Sequence, residues 1–267
     1  MHGMVRGIRR RLIVKLIASS DTIQVYQGDA LKLDQIKDSS IDMMLLDPPW
    51  DISHKMVINR KKNHKYAANT NISADFGAWD SQWETKQDYL DWTKKWLIEH
   101  TRVARVGCHM IIFFDVLQIG KLIDMCKELG WLDRQILVFY KSNPAPSARK
   151  VKFQDSTEFA MWFTYKDKST KAATFNLLGQ HHNLVKAPVV HGKIRTHTTQ
   201  KPEAVIDVWM RYLSKPGDLV LDSFSGSGTV AAVAQKLGRK CIAMDIDQKW
   251  AEATALRCNL PIINEDK

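Results

Sequence analysis

The chain has 267 residues, 45% of them hydrophobic, which suits one compact α/β domain with a filled core, two small domains being the alternative. Lys and Arg total 39 against 29 Asp and Glu, a formal charge of +10, so the summed field attracts polyanions such as nucleic acid unless the chain is merely a basic soluble protein. No stretch approaches the ~20 apolar residues of a membrane span. The four cysteines (Cys108, Cys126, Cys241, Cys258) lie far apart in apolar surroundings and contain no Cys-x-x-Cys pair, which argues for a reducing, cytoplasmic setting.

In chain order, residues 1–22 carry Arg6, Arg9, Arg10, Arg11 and Lys15 with no acid before Asp21 and are read as a basic arm, an organelle-targeting segment being the alternative. Met4 is a second candidate start. Ile23 to Tyr26 predicts a strand, the amphipathic stretch Ala30 to Ile36 a helix, and Ile41 to Leu46 a buried strand. Asp47-Pro48-Pro49-Trp50 follows, where two prolines cannot continue a ladder and force a rigid loop. Residues 51–86 lack periodicity and are expected to be a mobile loop.

Helices are predicted over Gln87 to Arg102 and Leu117 to Leu129, with a strand from His109 to Phe114 between them and strands at Gln135 to Tyr140 and Glu158 to Tyr165 after them. A basic connector covers 166–198. Pro202 opens a helix carrying Val205, Ile206, Trp209, Met210 and Leu213. Leu219 to Asp222 predicts a strand, Thr229 to Leu237 a helix, and Cys241 to Met244 a strand ending at Asp245. Strands alternating with helices imply a mostly parallel sheet covered on both faces, a single domain over 23–260 and a tail over 261–267.

The turn Ser223-Phe224-Ser225-Gly226-Ser227-Gly228-Thr229 joins a strand to a helix, so its glycines let a ligand approach the backbone at a helix N-terminus. Asp245 lies roughly 20 residues further on, where an acid accepts hydrogen bonds from ribose hydroxyls. Together they describe a nucleoside-cofactor pocket, which a nicotinamide dehydrogenase would share. Asp47-Pro48-Pro49-Trp50 separates the two readings. An amino group conjugated to a purine is a poor nucleophile because its lone pair is delocalised into the ring. Two acceptors, the Asp47 carboxylate and the Pro48 carbonyl, would draw the nitrogen towards tetrahedral geometry, and Trp50 offers a stacking surface for a base rotated out of its helix.

On these motifs, with Gly28-Asp29, Lys141-Ser142-Asn143-Pro144, Thr199-Gln200-Lys201-Pro202 and Gly217 to Asp222 in the same order, the chain resembles the permuted (beta-class) amino-methyltransferases of DNA, adenine-N6 branch. The resemblance spans Gly28 to Arg257. It implies an α/β, Rossmann-like S-adenosylmethionine-dependent methyltransferase fold and transfer to the N6 amino group of adenine in DNA. RNA adenine, the N4 amino group of cytosine and a non-catalytic nucleic-acid-binding subunit are the alternatives. It further implies that Asp47, Pro48, Pro49 and Trp50 are the catalytic element. Phe224, Gly226, Gly228 and Thr229 would line the methionine end of the cofactor beside Asp222, with Asp245 on the ribose, Asp29 near the adenine and Lys201 on the cofactor carboxylate.

The family usually has Pro where Ser223 stands and Glu where Asp245 stands; the first change implies a looser turn, the second a shorter but chemically equivalent acid. Arg60, Lys61, Lys62 and Lys65 are expected to contact the DNA, and 166–198, with His181, His182, His191 and His197, occupies the place of the family's target-recognition region. No metal is expected, since methyl transfer to an amino group requires none. A homodimer and a restriction endonuclease partner are left open.

Overall fold

The structure, a computed structural model, describes residues 14–51, 83–144, 153–166, 172–190 and 200–263. Along the chain these form β1 (Lys15–Ser19), β2 (Ile23–Gln27), β3 (Ile41–Leu46), α1 (Lys86–Val103), β4 (Ala104–Phe113), α2 (Ile119–Glu128) and β5 (Trp131–Lys141). There follow β6 (Thr157–Tyr165), β7 (Leu184–Ala187), α3 (Glu203–Leu213), β8 (Leu219–Asp222), α4 (Thr229–Lys236), β9 (Lys240–Asp245) and α5 (Gln248–Arg257).

All the strands join one sheet in the order β1-β2-β9-β8-β3-β4-β6-β5-β7. The run from β2 through β9, β8 and β3 to β4 is parallel; β1 is antiparallel to β2, and β6 is antiparallel to both neighbours. The alternation along β3 shows why the sheet is covered twice. Met43 and Leu45 pack into the core shared with α3, α4 and α5, whereas Met44 and Leu46 pack with α1 and α2. Among the described residues no helix is long and apolar enough to cross a membrane.

The connectivity places the site. From β8 the chain crosses by α4 to β9 on one side, and from β3 it crosses by α1 to β4 on the other. Between the carboxyl ends of β8 and β3 the sheet therefore has its topological switch point, the crevice where open α/β sheets bind ligands. The loop at Asp47 and the glycine turn after Asp222 both leave the sheet there, on adjacent strands that pair Met43 with Val220 and Met44 with Leu221.

The chain departs from the sequence-based expectations at several points. The basic arm assigned to 1–22 contains β1: Ile17 and Ala18 are buried in the core, so the charge counted over the segment hid an edge strand. The helix expected from Ala30 to Ile36 is a series of turns. Asp29 Oδ1 accepts from the Leu31 N–H at 3.0 Å, while Arg102 of α1 donates to the carbonyls of Leu33 (3.0 Å) and Ile36 (3.2 Å), so a neighbouring side chain satisfies groups that a helix would pair internally. The connector at 166–198 contributes β7, which pairs in parallel with β5. Helix α5 was not anticipated, because its buried positions Ala251, Thr254 and Ala255 are too small to stand out as an apolar stripe. Arg60, Lys61, Lys62 and Lys65 lie outside the described residues, as do His191 and His197.

Candidate active site

The turn after β8 is shaped by hydrogen bonds to its own strand and to β9. The Phe224 N–H donates to Asp222 Oδ1 (3.2 Å), the Ser225 N–H to the Met244 carbonyl (2.9 Å) and the Gly226 N–H to Asp245 Oδ2 (2.8 Å). Gly226 and Gly228 take φ of 46° and 74°. A Cβ on Gly228 would lie 2.8 Å from Thr254 Cα of α5, so this glycine is required by close helix packing. The ring of Phe224 is packed edge-on by Trp96 at 5.5 Å and Trp92 at 6.1 Å, both on α1.

A cavity of about 810 Å³ opens at the switch point. Of the residues singled out from sequence, Asp29, Asp47, Pro49, Lys201, Asp222, Phe224, Gly226, Thr229 and Asp245 line it. Pro48, Trp50 and Gly228 are not among its walls. Trp50 stands just outside, with the Lys201 ammonium 5.2 Å from its ring centroid, and Gly228 acts through the shape of the turn.

Asp47, Asp222 and Asp245 stand on the wall of this cavity, and burial raises all three. Asp222 is fully enclosed, and burial lifts its carboxyl well above the usual range, helped by the fields of Asp47 and Asp245. Burial likewise raises Asp245 to about 6, against the pull of N–H bonds from Asp247 and Gly226. Asp47 is raised by burial, which outweighs the opposing Lys201 ammonium and the hydrogen bond from the Trp50 side chain.

Lys201 Nζ lies 2.5 Å from Asp47 Oδ2 and 3.4 Å from Glu158 Oε2, and Lys141 completes the row at 3.0 Å from Glu158 Oε1. Burial pulls the Lys201 pKa down, but the Asp47 and Glu158 carboxylates more than offset it and hold it above the ordinary lysine value. Glu158, pushed upward by burial, is brought below its usual range by Lys201 and Lys141. In this arrangement Lys201 touches the loop at Asp47 directly, a contact that the resemblance did not imply.

The loop itself is held from α1. A capping box at Thr85, whose Oγ1 accepts from the Asp88 N–H at 3.1 Å, starts that helix, and one turn later Tyr89 Oη donates to the Pro49 carbonyl at 2.9 Å. Sequence reasoning missed Tyr89, Trp92, His100 and Glu158. Trp92 lies within the helix predicted over Gln87 to Arg102, where helical spacing was its only signal; an acid and a histidine within otherwise apolar elements were the available signals for Glu158 and His100. At Ser223, where the resemblance implied a looser turn, the hydroxyl is bonded to His100 at 2.7 Å.

The pattern of the DNA methylase family, the N6/N4 methyltransferases, matches residues 41–256. The type II methyltransferase M.HinfI of Haemophilus influenzae is 27% identical over 256 residues, covering 87% of this chain and 67% of that protein. The type II methyltransferase M2.LlaDCHI of Lactococcus lactis subsp. cremoris is 26% identical over 264 residues and 93% of each chain. Among solved structures, the M1.HpyAVI complex with S-adenosylmethionine superposes with a TM-score of 0.67 at 22% identity, over 89% of this chain and 100% of that one. The cytosine-N4-specific PvuII DNA methyltransferase superposes at 0.68 and 19% identity, over 95% of this chain and 91% of that one. With the match running from β3, ahead of the loop at Asp47, into the last turn of α5, the chain belongs to the N6/N4 DNA methylase family.

Proposed function

We propose that this DNA methyltransferase transfers the methyl group of S-adenosylmethionine to the N6 amino group of adenine. The observation that carries the choice of base is Asp47 at the cavity wall, in the position where relatives acting on cytosine N4 more often carry Ser. S-adenosylmethionine is the cofactor of this methyltransferase family, and the cavity suits it. Its volume admits a nucleoside joined to an amino acid, Gly226 brings backbone close, and five aspartates line the space for a ligand whose sulfur and amino group are both cationic. We assign Phe224, Gly226 and Thr229 to the methionine end beside Asp222, Asp245 to the ribose hydroxyls and Asp29 to the vicinity of the adenine.

When bound, the cofactor supplies an electrophilic methyl group on a positively charged sulfur. The chain prepares the nucleophile. The Asp47 carboxylate and the Pro48 carbonyl accept the two N–H bonds of the target amino group, pulling its lone pair out of conjugation and aiming it along the line of transfer. Trp50, and the diproline that fixes its direction, hold the base by stacking. As the N–C bond forms and the C–S bond breaks, the nitrogen becomes cationic and gives up a proton. Asp47, raised by burial and nearest to that nitrogen, receives the proton and passes it to solvent. Arg60, Lys61, Lys62 and Lys65 are assigned to the DNA backbone on charge alone.

Incubation of the purified chain with labelled cofactor and matched DNA and RNA, followed by nucleoside analysis, tests this reading. N6-methyladenine in DNA is expected; label found only in RNA, or only as N4-methylcytosine, would overturn it.

A further inference from the structure

Helix α1 reaches both halves of the site. At its first turns, Tyr89 Oη donates to the Pro49 carbonyl at 2.9 Å, and Lys86 Nζ donates to the Asp51 carbonyl at 2.7 Å and pairs with its carboxylate at 2.8 Å. Eleven residues later, about 16 Å along the helix axis, the buried His100 ring lies 2.7 Å by its Nε2 from Ser223 Oγ and 2.7 Å by its Nδ1 from the Trp96 carbonyl.

The hydrogen positions follow from chemistry. A carbonyl only accepts, so Nδ1 carries the hydrogen, Nε2 offers its lone pair and the Ser223 hydroxyl donates. Burial holds the imidazole neutral down to about pH 4, which keeps this pattern throughout the physiological range. The same ring lies parallel to Phe224, with centroids 6.3 Å apart and planes inclined by 6°. His100 thus holds the turn through the hydroxyl of one residue and the ring of the next, while Tyr89 fixes the loop on the facing strand.

We propose that α1 is the spacer of the active site: Tyr89 positions the catalytic loop through the Pro49 carbonyl, and His100 positions the cofactor turn through the Ser223 hydroxyl. A helix is stiff over this length, so the two contacts tie the separation between methyl donor and acceptor to a single element. The inference rests on the assignment of these loops as acceptor and donor sides given above. It makes the two ends of α1 kinetically separable.

The test uses the full chain and four variants, Tyr89→Phe, Ser223→Ala, His100→Leu and His100→Gln, read by calorimetric Kd for S-adenosylmethionine, kcat at saturating cofactor and thermal midpoint. Tyr89→Phe is expected to lower kcat about 10- to 100-fold while the Kd moves less than about twofold. Ser223→Ala and His100→Leu are expected to raise the Kd about tenfold with a smaller loss of kcat, and His100→Gln, whose amide both donates and accepts, to restore most of the affinity. Wild-type kcat in Tyr89→Phe, or a wild-type Kd in Ser223→Ala, overturns the proposal. So does a parallel fall of affinity, turnover and thermal midpoint in all variants, which is the mark of a merely structural helix. A wild-type chain that binds cofactor yet methylates cytosine overturns the adenine reading alone, because both kinetic signatures of α1 are still expected for that base.

Discussion

The Asp47 carboxylate faces two demands at once in the proposed reaction, since it pairs with Lys201 at 2.5 Å and would also accept an N–H from the target base. Replacing it by Asn keeps the shape but puts an NH₂ group where an acceptor is needed. Asp47→Asn is therefore expected to reduce kcat by about 10²- to 10³-fold with little change in cofactor Kd, as measured by single-turnover methyl transfer and calorimetry. Asp245 carries a pH dependence of known sign. A carboxyl whose folded pKa stands above its unfolded value binds its proton more tightly when folded, so it favours the fold at low pH and costs stability as pH rises through about 6. Ribose hydroxyls donating to it require the ionised form, which reverses the preference in the complex. Cofactor affinity should fall as pH drops below about 6, by at most about tenfold per unit, and Asp245→Asn should flatten that profile in a calorimetric titration.

At the level of elements, the glycine turn depends on close contact between α4 and α5. Gly228 combines a left-handed φ of 74° with a Cβ position 2.8 Å from Thr254 Cα, so Ala at this site meets strain and overlap together. Gly228→Ala is expected to lower unfolding free energy by about 1–3 kcal/mol, read from denaturant midpoints, and to weaken cofactor binding as the turn shifts. Helix α1 makes the complementary point. Its helical spacing was legible in Trp96 and Leu97, which are buried, but the same face also carries His100, whose role depends on Ser223, 123 positions away. Periodicity reports which side of a helix is inward; it does not report which polar group waits on the facing strand.

Over the whole molecule, the charge of +10 makes association with DNA strongly dependent on salt. The logarithm of the binding constant should fall linearly with the logarithm of salt concentration, and changing Arg60, Lys61, Lys62 and Lys65 together to Ala should reduce the slope by up to about 3–4 if each neutralises a phosphate. A slope unchanged by the four substitutions, measured by fluorescence titration between about 50 and 200 mM salt, would remove that segment from the interface. The match to the DNA methylase family covers the sheet core and its site-bearing loops, which is the part of the chain on which the polymer and base assignments bear.

Motifs that work through backbone shape and local order were legible from the residues alone. Asp47-Pro48-Pro49-Trp50 announces a rigid loop because proline restricts the chain whatever surrounds it, and Phe224 to Thr229 announces a strand-to-helix turn because glycine takes left-handed φ, here 46° and 74°, at the least steric cost. The order of these motifs sufficed for the family and for the fold class. What needed the tertiary structure was every contact between residues distant in sequence: Lys201 on Asp47 and Glu158, Tyr89 on Pro49, His100 on Ser223, and Arg102 on the turns that replace a helix after Ala30. Such contacts are invisible to local pattern because sheet pairing, which sets β3 beside β8 and leaves the crevice between them, decides which strand ends become neighbours.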